Sequence, residues 1–191
     1  MKVLPITLAA LLLICLLRFG RPGLERLAAL RLRGGWLAVA AALLQLAAIE
    51  LRGWGLELLL LSAAPLACFC WLNRAQPGLP LISLGVALNL LVMGLNGGAM
   101  PISPATLAEQ TGLQIAPGTF LPKTKDRVLA EQATALAWLS DRLMLPGPLK
   151  SIASWSVGDA LLIAGVGLLL WRTMKGGRLA RHPLWGETTL S

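Results

Sequence analysis

Five separate apolar blocks constrain this chain more than any other feature. They occupy residues 3–17, 35–51, 56–72, 79–95 and 157–171. Each block is about 15 to 17 residues long, near the lower limit for a helix that crosses a bilayer. The chain is 56% hydrophobic and only 14% charged, whereas soluble domains carry about 25% charged residues. The sequence therefore predicts an all-α, polytopic membrane helical bundle with five transmembrane helices.

The distribution of basic residues predicts the orientation of this bundle. Most of them flank the blocks on one side: Arg18, Arg21, Arg26, Arg31, Arg33, Arg74, Arg172, Lys175, Arg178 and Arg181. Short segments on the opposite side hold only Lys2 and Arg52. Because basic residues in short loops remain in the cytoplasm, we expect an N-terminus outside, a cytoplasmic tail at residues 172–191, and a bacterial inner-membrane location. Contact with anionic headgroups explains the net charge of +8 without nucleic acid.

The longest segment between blocks, residues 96–156, is predicted to form an outer loop with helices. Ser103 is a candidate N-cap, Pro104 stands at a first helical position, and Gly112 ends a two-turn helix. Farther along, leucine and alanine recur at helical spacing over residues 124–145, which predicts an amphipathic helix that Pro146 ends. We call residues 96–156 the cap.

Two amides lie inside the predicted spans. Gln45 stands six residues before Leu51, and Asn89 stands six before Leu95, which places both roughly 9 Å below the outer surface at about 1.5 Å per residue. A polar side chain in hydrocarbon needs a partner or a polar cavity. The two amides either bind each other or line the bottom of an outward-facing pocket.

Polar groups at the outer helix ends include Glu50, Glu57, Asn96 and Asp159. This bias toward the outer half favours an outward-facing site over a transporter, which would place polar groups at the midplane. Asp159 follows Ser156 at the spacing of a capping box, and a capping role alone explains it. A partly desolvated carboxyl at that position also suits acid or base chemistry.

Neither a metal nor a cofactor is predicted. Cys68 and Cys70 diverge on a helix, and His182, the one histidine of the sequence, lies in the predicted cytoplasmic tail. These residues do not provide the clustered ligands that a metal centre needs.

The stretch NGGAMP, which begins at Asn96, ends the fourth block. Gly97 and Gly98 can adopt positive φ and cap a helix, and Pro101 prevents it from resuming. Together with LSDRLMLPGP and SWSVGDALLIAGVGLLL, this turn resembles a family of uncharacterised bacterial multi-pass membrane proteins, of the domain-of-unknown-function class. The resemblance covers residues 79–171, departs at Ser140 where the family has glycine, and implies helical spans without an established activity.

The same turn is also similar to one in signal peptidase II, an intramembrane aspartyl protease. That resemblance implies Asp141 and Asp159 as a catalytic pair, with Asn96 orienting the substrate carbonyl. Only the cap separates the turn from Asp141 here, whereas that family has two spans between them.

The leading prediction is an accessory or binding protein with an outward-facing site. Its ligand would be a membrane lipid, a small molecule or an envelope protein partner. The predicted binding residues are Gln45, Asn89, Asn96, Gly97, Gly98 and Ser156. The alternatives are an aspartyl hydrolase that uses Asp141 and Asp159, and a small-molecule transporter.

Overall fold

The computed structural model describes residues 3–144 and 154–176. Within these ranges most residues are helical, which confirms the predicted helical class. The α-helices there are α1 (Val3–Ala28), α2 (Gly35–Glu50), α3 (Gly55–Leu72), α4 (Leu79–Leu95), α5 (Pro104–Thr111) and α6 (Val157–Lys175). The predicted helix stop at Pro146 and the predicted tail beyond Gly176, with His182, lie outside the described residues.

Three helical segments are long and apolar enough to cross a membrane: Ile6–Ala28, Arg52–Leu72 and Val157–Lys175. They correspond to α1, to α3 with the 3₁₀ turn that precedes it, and to α6. The other two apolar helices are shorter, with 16 residues in α2 and 17 in α4. By length and composition, the described residues therefore contain three candidate spans rather than the five that were predicted.

The first helix continues well past the apolar block that predicted it. α1 runs on to Ala28, with a kink at Gly20, where φ is 58°. Pro22 follows the kink, at the start of the second helical part, where its missing N–H is tolerated. At the far end of the helix, Arg26 Nη1 donates to the carbonyl of Met174 at 2.8 Å, so the basic end of α1 is held against α6.

Glycines set the contact between α4 and α6. A methyl group on Gly85 would lie 2.5 Å from the carbonyl oxygen of Gly158, and one on Gly165 would lie 2.7 Å from that of Gly78. Small residues let two helix backbones approach this closely. The two helices are therefore antiparallel neighbours. α1 also packs against α6, while α2 and α3 form a hairpin whose α3 contacts α4 less extensively.

The NGGAMP turn ends α4 as predicted. Gly97 and Gly98 have φ of 72° and 84°, and the Gly98 amide donates to the Met93 carbonyl at 2.8 Å, as in a Schellman cap. Beyond the turn, Met100–Ile102 form the buried strand β1.

In the cap, the helix predicted over residues 124–145 is wrong. Strand β2 (Asp126–Val128) pairs in parallel with β1, two 3₁₀ turns follow, and β3 (Leu143–Met144) pairs with β4 (Ser154–Trp155). Leu136, at the centre of the predicted helix, has φ of 52°, a value that a right-handed helix excludes. The predicted short helix is confirmed: Ser103 caps α5, and Gly112 ends it in the left-handed conformation.

A shared core joins the cap to the helices. Leu59 of α3, Val92 and Met93 of α4, Met100 of β1 and Leu139 of the second 3₁₀ turn form one buried cluster. A second cluster lies inside the cap, between β1, α5 and β2. The cap is thus packed against the ends of α3 and α4, and this position determines where a site can form.

Candidate functional site

The residues predicted to form one site lie in three places. Three of them line a cleft beneath the cap: Gln45, Gly97 and Gly98. Three others bind one another between α4 and α6: Asn89, Ser156 and Asp159. Two are buried within the cap structure: Asn96 and Asp141. The residues that were predicted to form a single pocket are therefore divided among a hydrogen-bond network, a cleft and the interior of the cap.

The network between α4 and α6 is closed on itself. Asn89 Nδ2 donates to Asp159 Oδ1 at 2.9 Å, and Ser156 Oγ donates to Asn89 Oδ1 at 3.0 Å. The Asp159 amide donates to Ser156 Oγ at 3.0 Å, while the Ser156 amide donates to Asp159 Oδ2 at 3.3 Å. This arrangement confirms the predicted capping box and adds to it an amide from the neighbouring helix.

Of the two alternatives for Gln45 and Asn89, a hydrogen bond between them is wrong. Gln45 Nε2 lies 3.4 Å from Ser62 Oγ on α3, and Asn89 faces α6 instead. Equal depth along two helices does not make two side chains neighbours, because rotation about each helix axis decides which way they point. Here α2 is adjacent to α3, and α4 to α6.

The cleft lies where the C-terminal ends of α2 and α4 and the N-terminal end of α3 meet the cap loop. Gln45 lies at its α2 wall, and Gly97 and Gly98 lie in the turn that ends α4. The other polar and aromatic residues that line the cleft are Arg52, Phe120, Thr124 and Lys125. Its volume is about 30 Å³. Since about 10–15 Å³ on this measure holds one water, the cleft has room for about two waters or for two oxygens of a bound acid group.

Arg52 is held in place by the cap. Its Nη2 donates to the Leu121 carbonyl at 2.9 Å, and its guanidinium carbon lies 4.9 Å from the centre of the Phe120 ring. Arg127 approaches the same ring at 5.1 Å. A guanidinium has five N–H donors, so this contact positions Arg52 and leaves it able to donate to a ligand.

Gly98 allows the α4 turn to approach α3. A methyl group there would lie 2.6 Å from the Leu56 amide nitrogen, whereas nothing lies within 4 Å of the corresponding position on Gly97. Gly98 therefore serves packing as well as the turn, and Gly97 stands beside open space in the cleft.

Asn96 holds the cap loop. Its Nδ2 donates to the carbonyls of Val92 at 2.7 Å and Ala135 at 3.0 Å, and its Oδ1 accepts from the Ala135 amide at 3.0 Å. These bonds occupy both of its donor hydrogens. Asn96 therefore links the end of α4 to the cap loop at Ala135. The substrate-orienting role that the resemblance implies stays a prediction.

Two carboxyls are buried in the cap, and the sequence pointed to only one of them. Burial raises the pKa of Asp126. Burial, followed by the charges of Asp126 and Asp159, raises the pKa of Asp141 well above its ordinary value. In each case Oδ1 is buried without a hydrogen-bond partner. The charge of Asp126 raises the pKa of Asp141 more than the charge of Asp159 does, while the catalytic pairing of Asp141 with Asp159 stays a prediction.

Residue signals for the missed groups are present in the sequence. Arg52 is the one basic residue between the second and third blocks, and Asp126 interrupts the basic run KTKDR. That Arg52 lines a cleft and that Asp126 is buried depends on the fold of the cap. Among the described residues, no cluster of three or more histidine, cysteine or acidic residues could hold a metal ion.

A family model matches residues 29–171, three quarters of the chain. This chain belongs to DUF5317, a family of unknown function. The match begins before the region from residue 79 on which the resemblance was based, so it includes most of the amino-terminal helices. No curated protein and no solved structure matches the chain. Helices that could span a membrane, in a family without an assigned activity, are consistent with a membrane protein of unknown activity.

Proposed function

We propose that this protein is a five-span bacterial inner-membrane protein that binds an acidic group in the cleft beneath its outward-facing cap. The acidic group would be the phosphate of a lipid headgroup or the carboxylate or phosphate of a small solute. The proposal joins the predicted outward-facing site to the two cationic residues, Arg52 and Lys125, that line the cleft.

The five-span arrangement is supported by the pairing of the two short helices. α2 packs along α3, and α4 packs along α6, so each short helix lies beside one long enough to span. Large apolar side chains remain exposed on α2 and α4, including Val39, Leu43, Leu84 and Leu91. Such surfaces suit lipid contact, and short spans are accommodated by local thinning of the bilayer.

The convergence of Arg52 and Lys125 on one small cleft carries the binding proposal. They come from separate segments, the α2–α3 connection and the cap. The ion pairs within 4 Å among the described residues are Arg21–Glu25 and Arg142–Glu131, so neither cleft cation is used in one there. Charge-assisted hydrogen bonds from Arg52 and Lys125 to one anion would each contribute about 1.5–3 kcal/mol.

The binding test uses the full chain in nanodiscs of phosphatidylcholine. Thermal unfolding is followed with inorganic phosphate added, and separately with phosphatidylglycerol in the disc. The phosphate arm tests a soluble ligand, and the phosphatidylglycerol arm tests a lipid headgroup. We expect at least one of them to stabilise the protein, and Arg52→Gln or Lys125→Gln to weaken that binding about tenfold.

The matched control is Lys123→Gln, which removes an exposed charge from the same loop outside the cleft. It should retain the stabilisation. If neither probe stabilises the wild type, or if all three variants respond alike, cleft binding is wrong.

A second candidate function is hydrolysis by a carboxyl pair. The observation in its favour is that Asp141 is buried and has a raised pKa, as expected of a carboxyl that serves as a general acid. Both oxygens of Asp159 accept hydrogen bonds from the network, which favours Asp126 as the partner of Asp141.

Cleavage of a membrane-anchored lipoprotein precursor by the reconstituted protein would test this candidate. Loss of cleavage in both Asp126→Asn and Asp141→Asn, with retention in Glu131→Gln, would support it. Equal cleavage by wild type and both aspartate variants would exclude the pair.

A further inference from the structure

A second cavity lies between α3 and α4, on the side away from the cap. This α3–α4 groove has a volume of about 470 Å³, far larger than the cleft. Small and apolar side chains line most of it, among them Ala63, Ala67, Ala87 and Leu90, and Trp71 and Arg74 lie at one end. Its volume falls in the range of pockets that bind small ligands, about 300–1,000 Å³.

The length of the groove corresponds to one leaflet. Along α3 it extends from Ala63 to Trp71, with Arg74 just beyond the end of the helix, and along α4 it extends from Pro80 to Leu90. At about 1.5 Å per residue, these helical stretches are roughly 12 Å and 15 Å long, close to half of a hydrocarbon core of about 30 Å. Beyond its deep end, Leu59 of α3 and Val92 of α4 are packed in the shared core. The groove is therefore blocked near the middle of the membrane.

The shallow end of the groove carries a positive charge. The Arg74 guanidinium lies 4.0 Å from the centre of the Trp71 ring, and its Nη1 donates to the Trp71 carbonyl at 2.9 Å. No ion pair within residues 3–144 and 154–176 uses it. Tryptophan and arginine at a helix end are typical of the headgroup level, and arginine matches phosphate geometry.

From these features we infer that the α3–α4 groove binds one phospholipid of the inner leaflet, with an anionic headgroup. An acyl chain lies along Ala63, Ala67 and Ala87, and the phosphate meets Arg74. This inference rests on the proposed orientation, which places the α3–α4 turn in the cytoplasm.

The shape and charge of the groove favour a lipid over a helix from a second copy. A docking helix would need an apolar surface along the whole height of the membrane, whereas this groove ends at Leu90. It would also bring a second basic end toward Arg74, because the cytoplasmic ends of this chain are rich in arginine. A lipid satisfies both the half-membrane length and the charge.

Native mass spectrometry of the full chain, released from nanodiscs of phosphatidylcholine and phosphatidylglycerol, tests the inference. We expect one retained phosphatidylglycerol in the groove, in addition to any lipid whose retention depends on Arg52. Ala67→Trp, which fills the groove, should lower its retention about tenfold, and Arg74→Gln should lower the preference for phosphatidylglycerol over phosphatidylcholine by a similar factor.

The controls are Cys68→Trp and Arg172→Gln. Cys68 is exposed beside Ala67 and Arg172 is an exposed arginine near the end of α6, and neither lines the groove. Both controls should retain the lipid. Equal loss in controls and test variants, or retention unaffected by Ala67→Trp, would overturn the inference. A dimer that Ala67→Trp dissociates would also overturn it, in favour of a second copy.

Two further measurements separate this inference from the proposed function. Arg52→Gln should leave in place the lipid that Ala67→Trp displaces, whether or not the cleft also holds a headgroup, since the cleft lies at the opposite end of the bundle. Arg74→Cys should react with a membrane-impermeant thiol reagent only from the cytoplasmic side. Labelling from outside would overturn the inner-leaflet assignment together with the proposed orientation, whereas loss of cleft binding alone would not affect the groove.

Discussion

Helix α4 has two different neighbours, and its contacts with them contrast sharply. Toward α6 the backbones nearly touch at two glycine pairs, and the Asn89 network links the helices. Toward α3 the contact is made by large side chains at the cap end, Leu59 against Val92 and Met93, and a groove opens beyond it. Both flanks contain small residues, so small size alone does not produce close packing.

Alignment and polar contacts make the difference. Gly78, the N-cap of α4, and Gly85 within α4 are seven residues apart, as are Gly158 and Gly165 on α6, so two contacts form on the same flank. Asn89 then adds hydrogen bonds whose absence would leave polar groups unpaired in hydrocarbon. On the α3 flank, Ser83 bonds to the Leu79 carbonyl of its own helix, and it provides no link between helices.

The largest effect should come from breaking the glycine contact. Gly85→Ala would force its methyl group to 2.5 Å from a backbone oxygen of α6, so we expect the free energy of unfolding to fall by about 1–3 kcal/mol or more. Gly94→Ala on the same helix, with open space around it, should be neutral or stabilise by up to about 1 kcal/mol. Unfolding in mixed detergent micelles measures both. A similar loss in both variants would contradict close contact on the α6 flank.

The hydrogen-bond network should give the next largest effect. Ser156→Ala removes both the cap of α6 and the donor to Asn89, and should destabilise by about 1–2 kcal/mol. Ser83→Ala, on the groove flank, should change the unfolding free energy by less than about 0.5 kcal/mol. Equal changes in the free energy of unfolding for Ser156→Ala and Ser83→Ala would contradict the difference between the two flanks.

The pH dependence of stability tests the two buried carboxyls of the cap. Asp126 and Asp141 have raised pKa values in the folded state, so between the ordinary aspartate pKa and the raised values the native state holds more protons than the unfolded state. The contribution of these two carboxyls to the free energy of unfolding should therefore be fully present below about pH 4. It should be lost as the pH rises through the folded pKa values.

Asp141→Asn should flatten this profile and make the protein more stable than wild type at neutral pH. Glu131→Gln, which removes an exposed partner of Arg142, should leave the slope unchanged. Denaturation of wild type and both variants from pH 4 to 8 provides the measurement, and a stability that rises over this range in the wild type would contradict the buried-carboxyl interpretation.

The smallest effect should come from the groove. Ala87→Leu adds volume where a cavity already exists, so the unfolding free energy should change by less than about 0.5 kcal/mol. Gly158→Ala, at similar depth on the other neighbour of α4, should be clearly destabilising, because its methyl group would lie 2.8 Å from the Gly85 carbonyl oxygen. A large loss from Ala87→Leu would show that α3 and α4 pack more closely than the groove implies.

Elements that depend on local chemistry were predictable. α4 ends where its glycines allow it to end, α5 begins at Ser103, and Ser156 with Asp159 forms the capping box. Each of these follows from a few adjacent residues, because capping needs only nearby backbone groups. The candidate site was less predictable, since Gln45 and Asn89 face different neighbours, and the position of Asp126 in a basic run did not show that its side chain would be buried.

The amphipathic pattern of residues 124–145 shows how a regular spacing misleads. Val128 is buried because β2 pairs with β1, and Asn96 binds the backbone at Ala135. These partners lie more than twenty residues away along the chain. They outweigh a helical preference that is worth only a fraction of a kcal/mol per residue.

The sequence by itself determined the apolar helices, which of their ends are followed by basic residues, and the residues that cap them, because hydrophobicity and capping act over one or a few turns. Only the tertiary structure decided which helices are neighbours, that Arg52 and Lys125 meet in one cleft, and that α3 and α4 leave a groove between them. Those features depend on rotation about each helix axis and on contacts between distant segments, and no local pattern encodes either.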